Sequence, residues 1–283
     1  MAKEETKQNE MEETKPEEQL KEMEEIIEKE EMIKDKIISK EVEEQFRREE
    51  GRNLTPDEKR RARFDKEARE KLESWIPLTE LGKEVQRGKI KNIDEILSGC
   101  RKIMEPEIVD ILIPGLIADN LFIGQSKGKF GGGKRRAFRQ TQKKTKEGNV
   151  LTFGVMAVVG DGRGHVGIGY GRASETLPAK EKAVRKAKLN IMKIRRGCGS
   201  YDCSCDEPHS IPLNTIGKCS SVSVKLMPAP QGTGLVIGDE MKKILRAAGI
   251  KDIYSKCFGK VKTTFNTAKA CMLALNKLGS LKL

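Results

Sequence analysis

Apolar residues are sparse at the start of the chain and become periodic only further along. Residues 1–18 are Glu- and Lys-rich with no apolar repeat and are read as disordered. Between 19 and 48 a thin stripe (Leu20, Met23, Ile27, Ile33, Ile37, Val42, Phe46) is enough only for a marginal helix that gains stability against a partner. "NLTPDEKRRARFDKEAREKLE" starts more clearly, with Thr55 as N-cap, Pro56 at the first helical position and Glu58 closing a capping box. "WIPLTELGKEVQRGKI" predicts a short helix ending near Gly88, and two short amphipathic helices follow around Ile93–Leu97 and Pro106–Ile113.

Period-two patterns take over further on. "VLTFGVMAVVGDG" reads as a strand and "HVGIGYGRA" as its hairpin partner, with Asp161-Gly162 as the turn dipeptide. "SETLPAKEKAVRKAKLNIMKI" is a helix with Ser174 as N-cap and Ala183, Ala187, Ile191 and Ile194 on the buried side. A second unit repeats the logic. "LNTIGKCSSVSVKLMPA" is a strand pair, and "DEMKKILRAAGI" is a helix with Asp239 as N-cap and Gly249 as stop. "TTFNTAKACMLALNKL" is a last helix burying Phe265, Ala268, Met272, Leu275 and Leu278.

Charge changes this picture. The chain of 283 residues carries +12. Residues 1–50 hold 10 basic and 19 acidic side chains, so the remainder carries +21. A body this basic expects a polyanion, and the acidic arm is read as a solvated tail. Ser126–Asn149 has nine Lys/Arg against one acid, Glu147, and is read as a mobile phosphate-binding loop. Aromatic residues at 4% argue against a protein that grips single strands mainly by stacking. No run of eighteen apolar residues exists, so no membrane partner is expected, and the N-terminus lacks an apolar leader core. Seven cysteines in such a chain are read as reduced thiols or metal ligands.

Gly162, Gly164 and Gly167 fit the G-x-G-x-x-G spacing of a dinucleotide loop. The context fails: a strand pattern follows instead of a helix, and Glu181, the last acid before Arg195, comes too early to meet a ribose. Gly167, Gly169 and Gly171 instead give one strand a face without side chains. That face admits either a nucleic-acid backbone or a tightly packed helix, and the spacing alone leaves both open. With two histidines and no paired acid–base set, no enzyme is expected.

Taken together, "FGVMAVVGDGRGHVGIGYGRA" with its basic helix, "RRGCGSYDCSCDEPHSIP" and "KLMPAPQGTGLVIGDEMKKILRAAGIKDIYSKCFGKVKTTFNTAKA" resemble the small-subunit ribosomal protein S-five family. "WIPLTELGKEVQRGKI" resembles the extra segment of its archaeal and eukaryotic forms, and the cysteine-bearing linker its archaeal members. The resemblance covers roughly 75–283 and implies an α+β protein. Its first domain would be double-stranded-RNA-binding-like and its second a split β-α-β ribosomal domain, both preceded by a helical or disordered extension. The expected boundaries are 1–74 for the charged extension, 75–118 for the helical segment and 119–197 for the first domain. The linker then takes 198–210 and the second domain 211–283.

The same resemblance implies a cytoplasmic ribosomal component that binds small-subunit ribosomal RNA beside neighbouring small-subunit proteins. It would sit near the path by which messenger RNA enters, supporting decoding accuracy and assembly. "SKGKFGGGKRRA" departs from the family as an insertion, and "KTKEGNVL" lacks the arginines that usually follow the glycine at this hairpin tip. A galactokinase-type kinase shares the second domain's fold in that family comparison, but "VIGDE" stands after Leu235 where a phosphate loop needs a serine pair. A free-standing RNA-binding regulator is set aside only by the resemblance.

Candidate RNA contacts are Lys134, Arg135, Arg136, Arg139, Lys143, Lys144, Arg163, Arg172, Arg195, Arg196 and Lys218, because phosphates are met by Lys and Arg. His165 and His209 are candidate donors to RNA. Gln231, Gly232 and Thr233 of the family-like "PAPQGTG" loop would place backbone amides at a phosphate. Cys198, Cys203, Cys205 and His209 form a C-x4-C-x-C-x3-H set that suits tetrahedral zinc, with reduced surface thiols as the alternative. Cys100, Cys219, Cys257 and Cys271 are read as core.

Overall fold

The computed structural model describes residues 74–99, 101–126, 135–205 and 207–279, together with 70 and 72. The expectations for 1–69, the Thr55 cap, Lys134 and Cys100 lie outside the described residues. The described residues from 72 to 279 make one compact unit of mixed α and β structure.

The unit begins with three short helices, α1 (Glu80–Gln86), α2 (Ile93–Ser98) and α3 (Glu107–Leu112). Thr79 caps α1 by accepting from the Gly82 N–H at 3.1 Å. Val85, Ile93, Ile96, Ile103, Ile108 and Val109 build a small core of their own that reaches Ile191. Helices this short do not persist alone. Ion pairs fasten these to the first sheet and its helix: Asp94 to Lys193 of the strand Ile191–Lys193 at 2.5 Å, and Asp110 to Lys188 of the helix Thr176–Leu189 at 2.6 Å.

The first sheet contains β1 (Ile117–Leu121), β2 (Arg139–Thr145), β3 (Gly148–Gly160), β4 (His165–Ala173) and β5 (Ile191–Lys193), with α4 (Thr176–Leu189) between the last two. All its pairings are antiparallel. β1 and β2 share one edge of β3: β1 pairs Met156–Gly160 and β2 pairs Gly148–Gly154. The stretch Arg139–Thr145, read above as a mobile loop, is therefore a strand. It lacks apolar alternation because the ribbon it makes with β3 is exposed almost throughout. β1, β5 and the strands Leu235–Val236 and Ile253–Phe258 further on carried no legible period-two signal: the first three are short, and in the last the burial alternates but Tyr254 and Phe258 place rings on the exposed side.

The open question about the glycine strand is settled by α4. A Cβ at Gly167, Gly169 or Gly171 would overlap backbone atoms of Ala187, Ala183 and Ala179 respectively. Small residues on both partners bring helix and strand together, so the side-chain-free face receives a helix and not a nucleic acid. Two boundaries differ from expectation. The N-cap of α4 is Glu175, without a side-chain cap bond, not Ser174. The helix ends at the Asn190 cap, so Ile191 and Ile194 are buried from an extended segment and not from the helix.

The second sheet holds β6 (Thr215–Cys219), β7 (Val222–Pro228), β8 (Leu235–Val236) and β9 (Ile253–Phe258) in the order β6-β7-β9-β8. Helices α5 (Asp239–Ala248) and α6 (Thr264–Gly279) contribute most of the apolar side chains packed beneath it. The expected split β-α-β unit is corrected in detail. β8 and β9, joined by α5, are direct parallel neighbours, and it is β7 and β8 that β9 separates. Gly238, not Asp239, is the cap of α5, which leaves Asp239 in the first turn where its charge meets the helix dipole. Gly249 ends α5 at φ 77°, as expected.

One core joins the two halves: Leu121, Met156, Val158, Val166 and Ile194 are continuous with Val224, Leu226, Ile244, Leu245 and Leu275. Lys243 binds the Asn120 carbonyl at 2.8 Å and sits 3.4 Å over the Phe122 ring, and Glu240 accepts from the Phe122 N–H. Cys271 is core as expected, whereas Cys219 and Cys257 are only half-buried. Among the described residues no helix is long and apolar enough to cross a membrane.

Candidate nucleic-acid interface

The predicted basic residues fall into two kinds. Arg136, Arg139, Lys143, Lys144, Arg163, Arg195 and Lys218 are exposed. Arg139, Lys143 and Lys144 stand on the projecting β2–β3 ribbon, which among the described residues has no third strand alongside Gly148–Thr152. A two-stranded ribbon is marginal in water, and cations on one invite an external polyanion.

The second kind is already engaged in hydrogen bonds to the protein's own groups, Arg172 while remaining exposed. Arg135 donates to the Lys262 carbonyl at 3.2 Å, and Arg172 grips the Thr152 hydroxyl at 2.8 and 3.2 Å. Half-buried Arg196 is the most committed. Its guanidinium donates to the carbonyls of Gly162, Gly249 and Arg163 at 3.4, 3.3 and 2.9 Å, tying the β3–β4 turn to the end of α5.

Two concavities gather further cations that the sequence reading missed. Arg196, Lys242, Arg246 and Lys251 line an open pocket of ≈ 620 Å³ with Gly162, Gly234 and Gly249. A second, of ≈ 830 Å³, brings Arg135 and Arg139 to Lys262 beside Tyr170. No acid is among the described lining residues of either. The i, i+4 spacing of Lys242 and Arg246 on α5 was a legible signal; their meeting with Arg196, from the other half, was not.

The histidines do not present themselves to RNA. His165 bonds Asp161 through Nδ1 at 2.6 Å and Asp94 through Nε2 at 2.9 Å, so both ring nitrogens face carboxylates. The Asp161 hydrogen bond raises the His165 pKa above 6.5, burial opposing and Asp94 assisting. Burial works against the charge on Asp161, but bonds from the His165 ring and from the Arg163 and His165 N–H groups outweigh it and hold its pKa at about 2. His209 is buried, with Nδ1 2.9 Å from Asp252 Oδ2. The expectation that these rings donate to RNA is therefore corrected: carboxylates hold both, because each sits where separate segments must be joined.

The "PAPQGTG" loop is likewise built on internal bonds. The Gln231 N–H is directed at the Cys203 sulfur, the Thr233 N–H at the Pro230 carbonyl, and the Gly234 N–H at Asp252 Oδ1 at 2.7 Å. The amides of Gln231 and Thr233 expected at a phosphate are thus already used, while the exposed Gln231 side chain and Gly232 remain at the surface.

Cys198, Cys203, Cys205 and His209 do converge: their ligand atoms all lie within 4.8 Å of one another. Cys203 and Cys205 sulfurs are 3.0 Å apart, and Cys203 Sγ is 3.6 Å from His209 Nε2. A hydrogen bond from Cys205, aided by the Gln231 N–H, lowers the Cys203 thiol to about 6, while the same contact pushes Cys205 up to about 12. Without a cation between them, neighbouring sulfurs cannot both ionise.

These features define a class: a two-sheet α+β protein with basic ribbons and concavities and no catalytic constellation among the described residues. Comparison with known proteins narrows it. Residues 136–195 match the ribosomal protein S5 N-terminal domain and 217–282 its C-terminal domain. The chain is 51% identical over 211 residues to a small ribosomal subunit protein uS5 of Nanoarchaeum equitans, covering 75% of this chain and 90% of that one. It is 49% identical over 212 residues to the Staphylothermus marinus uS5, at 75% and 91% coverage, and 44% over 209 residues to the Methanospirillum hungatei uS5, at 74% and 95%. The chain belongs to the ribosomal protein S5 family.

Proposed function

We propose that the protein is a structural, non-enzymatic constituent of the small ribosomal subunit, located with the ribosome in the cytoplasm and bound there to small-subunit ribosomal RNA and neighbouring small-subunit proteins. The observation that carries this is the 51% identity extending over 90% of a relative whose name places it in that subunit. The first half is read as double-stranded-RNA-binding-like, supported by a helix packed on one face of an antiparallel sheet.

Exposed Arg136, Arg139, Lys143, Lys144, Arg163, Arg195 and Lys218 meet phosphates in this reading, joined by the pocket cations Lys242, Arg246 and Lys251. Arg135, Arg172 and Arg196 serve mainly to shape the surface from which the others reach RNA. The β2–β3 ribbon, with Lys143 and Lys144 near its tip, is the part directed at the messenger entrance path. Its contribution to decoding accuracy would come from anchoring RNA there, and its contribution to assembly from joining rRNA helices through both sheets.

Co-sedimentation tests the reading. Full-length protein is expected to travel with small subunits through a low-salt gradient and be released as salt rises. Protein remaining at the top of the gradient at low salt would overturn it.

A further inference from the structure

The linker Cys198–His209 is held in a way that its own packing does not explain. Gly197 and Ser210 exchange two backbone hydrogen bonds of 3.0 Å, which close the intervening residues into a loop at a narrow neck. Tyr201, the loop's one aromatic residue, is fully exposed at 102%. No apolar side chain of the described loop enters the core, yet three thiols and an imidazole meet on its inner side.

The geometry points to a structural zinc ion held by Cys198, Cys203, Cys205 and His209, which clips this loop to the Ala229–Gly234 segment. Tetrahedral zinc with bonds of about 2.3 Å to sulfur and 2.0–2.1 Å to nitrogen sets sulfur–sulfur edges near 3.8 Å and sulfur–nitrogen edges near 3.5 Å. Cys203 Sγ and His209 Nε2, at 3.6 Å, already match. The Cys203–Cys205 pair, at 3.0 Å, needs to open by less than an ångström. That separation is too long for a disulfide, whose sulfurs lie about 2.05 Å apart.

The surroundings of His209 add an independent observation. The Asp252 carboxylate accepts from Nδ1–H, which leaves the Nε2 lone pair directed toward the sulfurs. A carboxylate behind a ligating imidazole fixes its tautomer and orientation in protein metal sites. Asp252 is itself buried and takes the Gly234 N–H on its other oxygen. Ser210 Oγ accepts from Ala229 N–H, the Gln231 N–H is aimed at the Cys203 sulfur, and the His209 carbonyl takes the N–H groups of Lys251 and Asp252. The metal centre thus fastens the start of β9 and the "PAPQGTG" turn to the joint between the two halves. Three thiolates and one imidazole select zinc over magnesium or calcium, which take oxygen ligands, and leave no open position for chemistry. The site is independent of the ribosomal reading, because it is complete within the free chain.

Full-length protein purified under reducing conditions, without RNA, provides the test. Elemental analysis is expected to return about one zinc per chain. Exchange with Co(II) is expected to give the intense visible bands of tetrahedral cobalt with sulfur-to-metal charge transfer. Cys203→Ser combined with Cys205→Ser should abolish both signals. Asp252→Asn, which keeps every ligand, should weaken zinc by about 10- to 100-fold in competition with a chromophoric chelator. Removing the metal should speed amide exchange at Ala229 and Gly234 and leave His165 unchanged.

A wild-type chain with no stoichiometric zinc and no tetrahedral cobalt spectrum, a Cys203–Cys205 disulfide under those conditions, or full zinc retention in the double variant would each overturn the site. Unchanged exchange at 229–234 with zinc lost would overturn the clip.

Discussion

The linker 197–210 and the ribbon 139–152 reverse the usual association of regular structure with firm anchorage. Among its described residues the linker has no helix or strand, yet its neck is buried at His209 and Ser210; Asp252 and the Cys203 sulfur meet the His209 ring, and the Ser210 hydroxyl accepts from the Ala229 N–H. The ribbon is a regular antiparallel ladder, yet nearly every side chain on it is exposed and, among the described residues, no third strand pairs with Gly148–Thr152. Backbone pairing gives the ribbon its shape, while side-chain chemistry gives the linker its position. In the function proposed above, RNA supplies from outside what the ribbon lacks underneath.

The sharpest way to break this comparison is His209→Ala. It leaves the buried Asp252 carboxylate with the Gly234 N–H but without the imidazole, a loss of about 3 kcal/mol, which for a unit of this size lowers Tm by roughly 6–12 °C in calorimetry. Lys143→Glu with Lys144→Glu should behave oppositely. Tm is expected to stay within about 1 °C, while the slope of log K against log salt for rRNA binding flattens by roughly 2 in a filter-binding series. If the ribbon variant loses several degrees of Tm, or the linker variant loses none, the contrast fails.

Arg195 and Arg196 repeat the contrast within one dipeptide. Arg195→Glu should flatten the salt slope without touching Tm. Arg196→Glu should also cost about 1–2 kcal/mol, since three carbonyls lose their donor. Equal Tm values for the two variants would show that the Arg196 contacts contribute nothing.

The smallest effect belongs to the His165 turn, which stands between the two regions in burial. Its folded pKa is raised, so the stability it adds is full below pH 6.5 and is lost as pH rises through the folded value. For Asp161 the sign is opposite: its contribution is present above pH 3.8 and is lost as pH falls through about 2. Thermal melts from pH 6 to 9 should show a decline in the wild type that His165→Gln removes. A decline of equal size in the variant would assign it elsewhere.

Much of the fold could be read before folding because it is written in local patterns. The β3–β4 hairpin, the α4, α5 and α6 helices and the Gly249 stop all rest on neighbours within a few residues. Strand β2 escaped notice because an exposed ribbon imposes no alternation. The end of α4 was misjudged because Ile191 and Ile194 continue the apolar spacing although the chain has already straightened into β5. In the candidate site, the exposed cations and the cysteine set were legible by type and spacing. The pairing of His165 with Asp94, and of His209 with Asp252, was not, since those partners stand 71 and 43 residues away.

The order of residues alone was enough to predict a basic chain of two successive strand-and-helix units and to expect a polyanion as its partner, because charge and periodicity are properties of segments. Only the folded molecule could say which cations remain outside, which ones brace turns, and that the glycine strand receives α4. Those outcomes depend on contacts across the whole chain, where burial and a competing partner decide what each group is able to do.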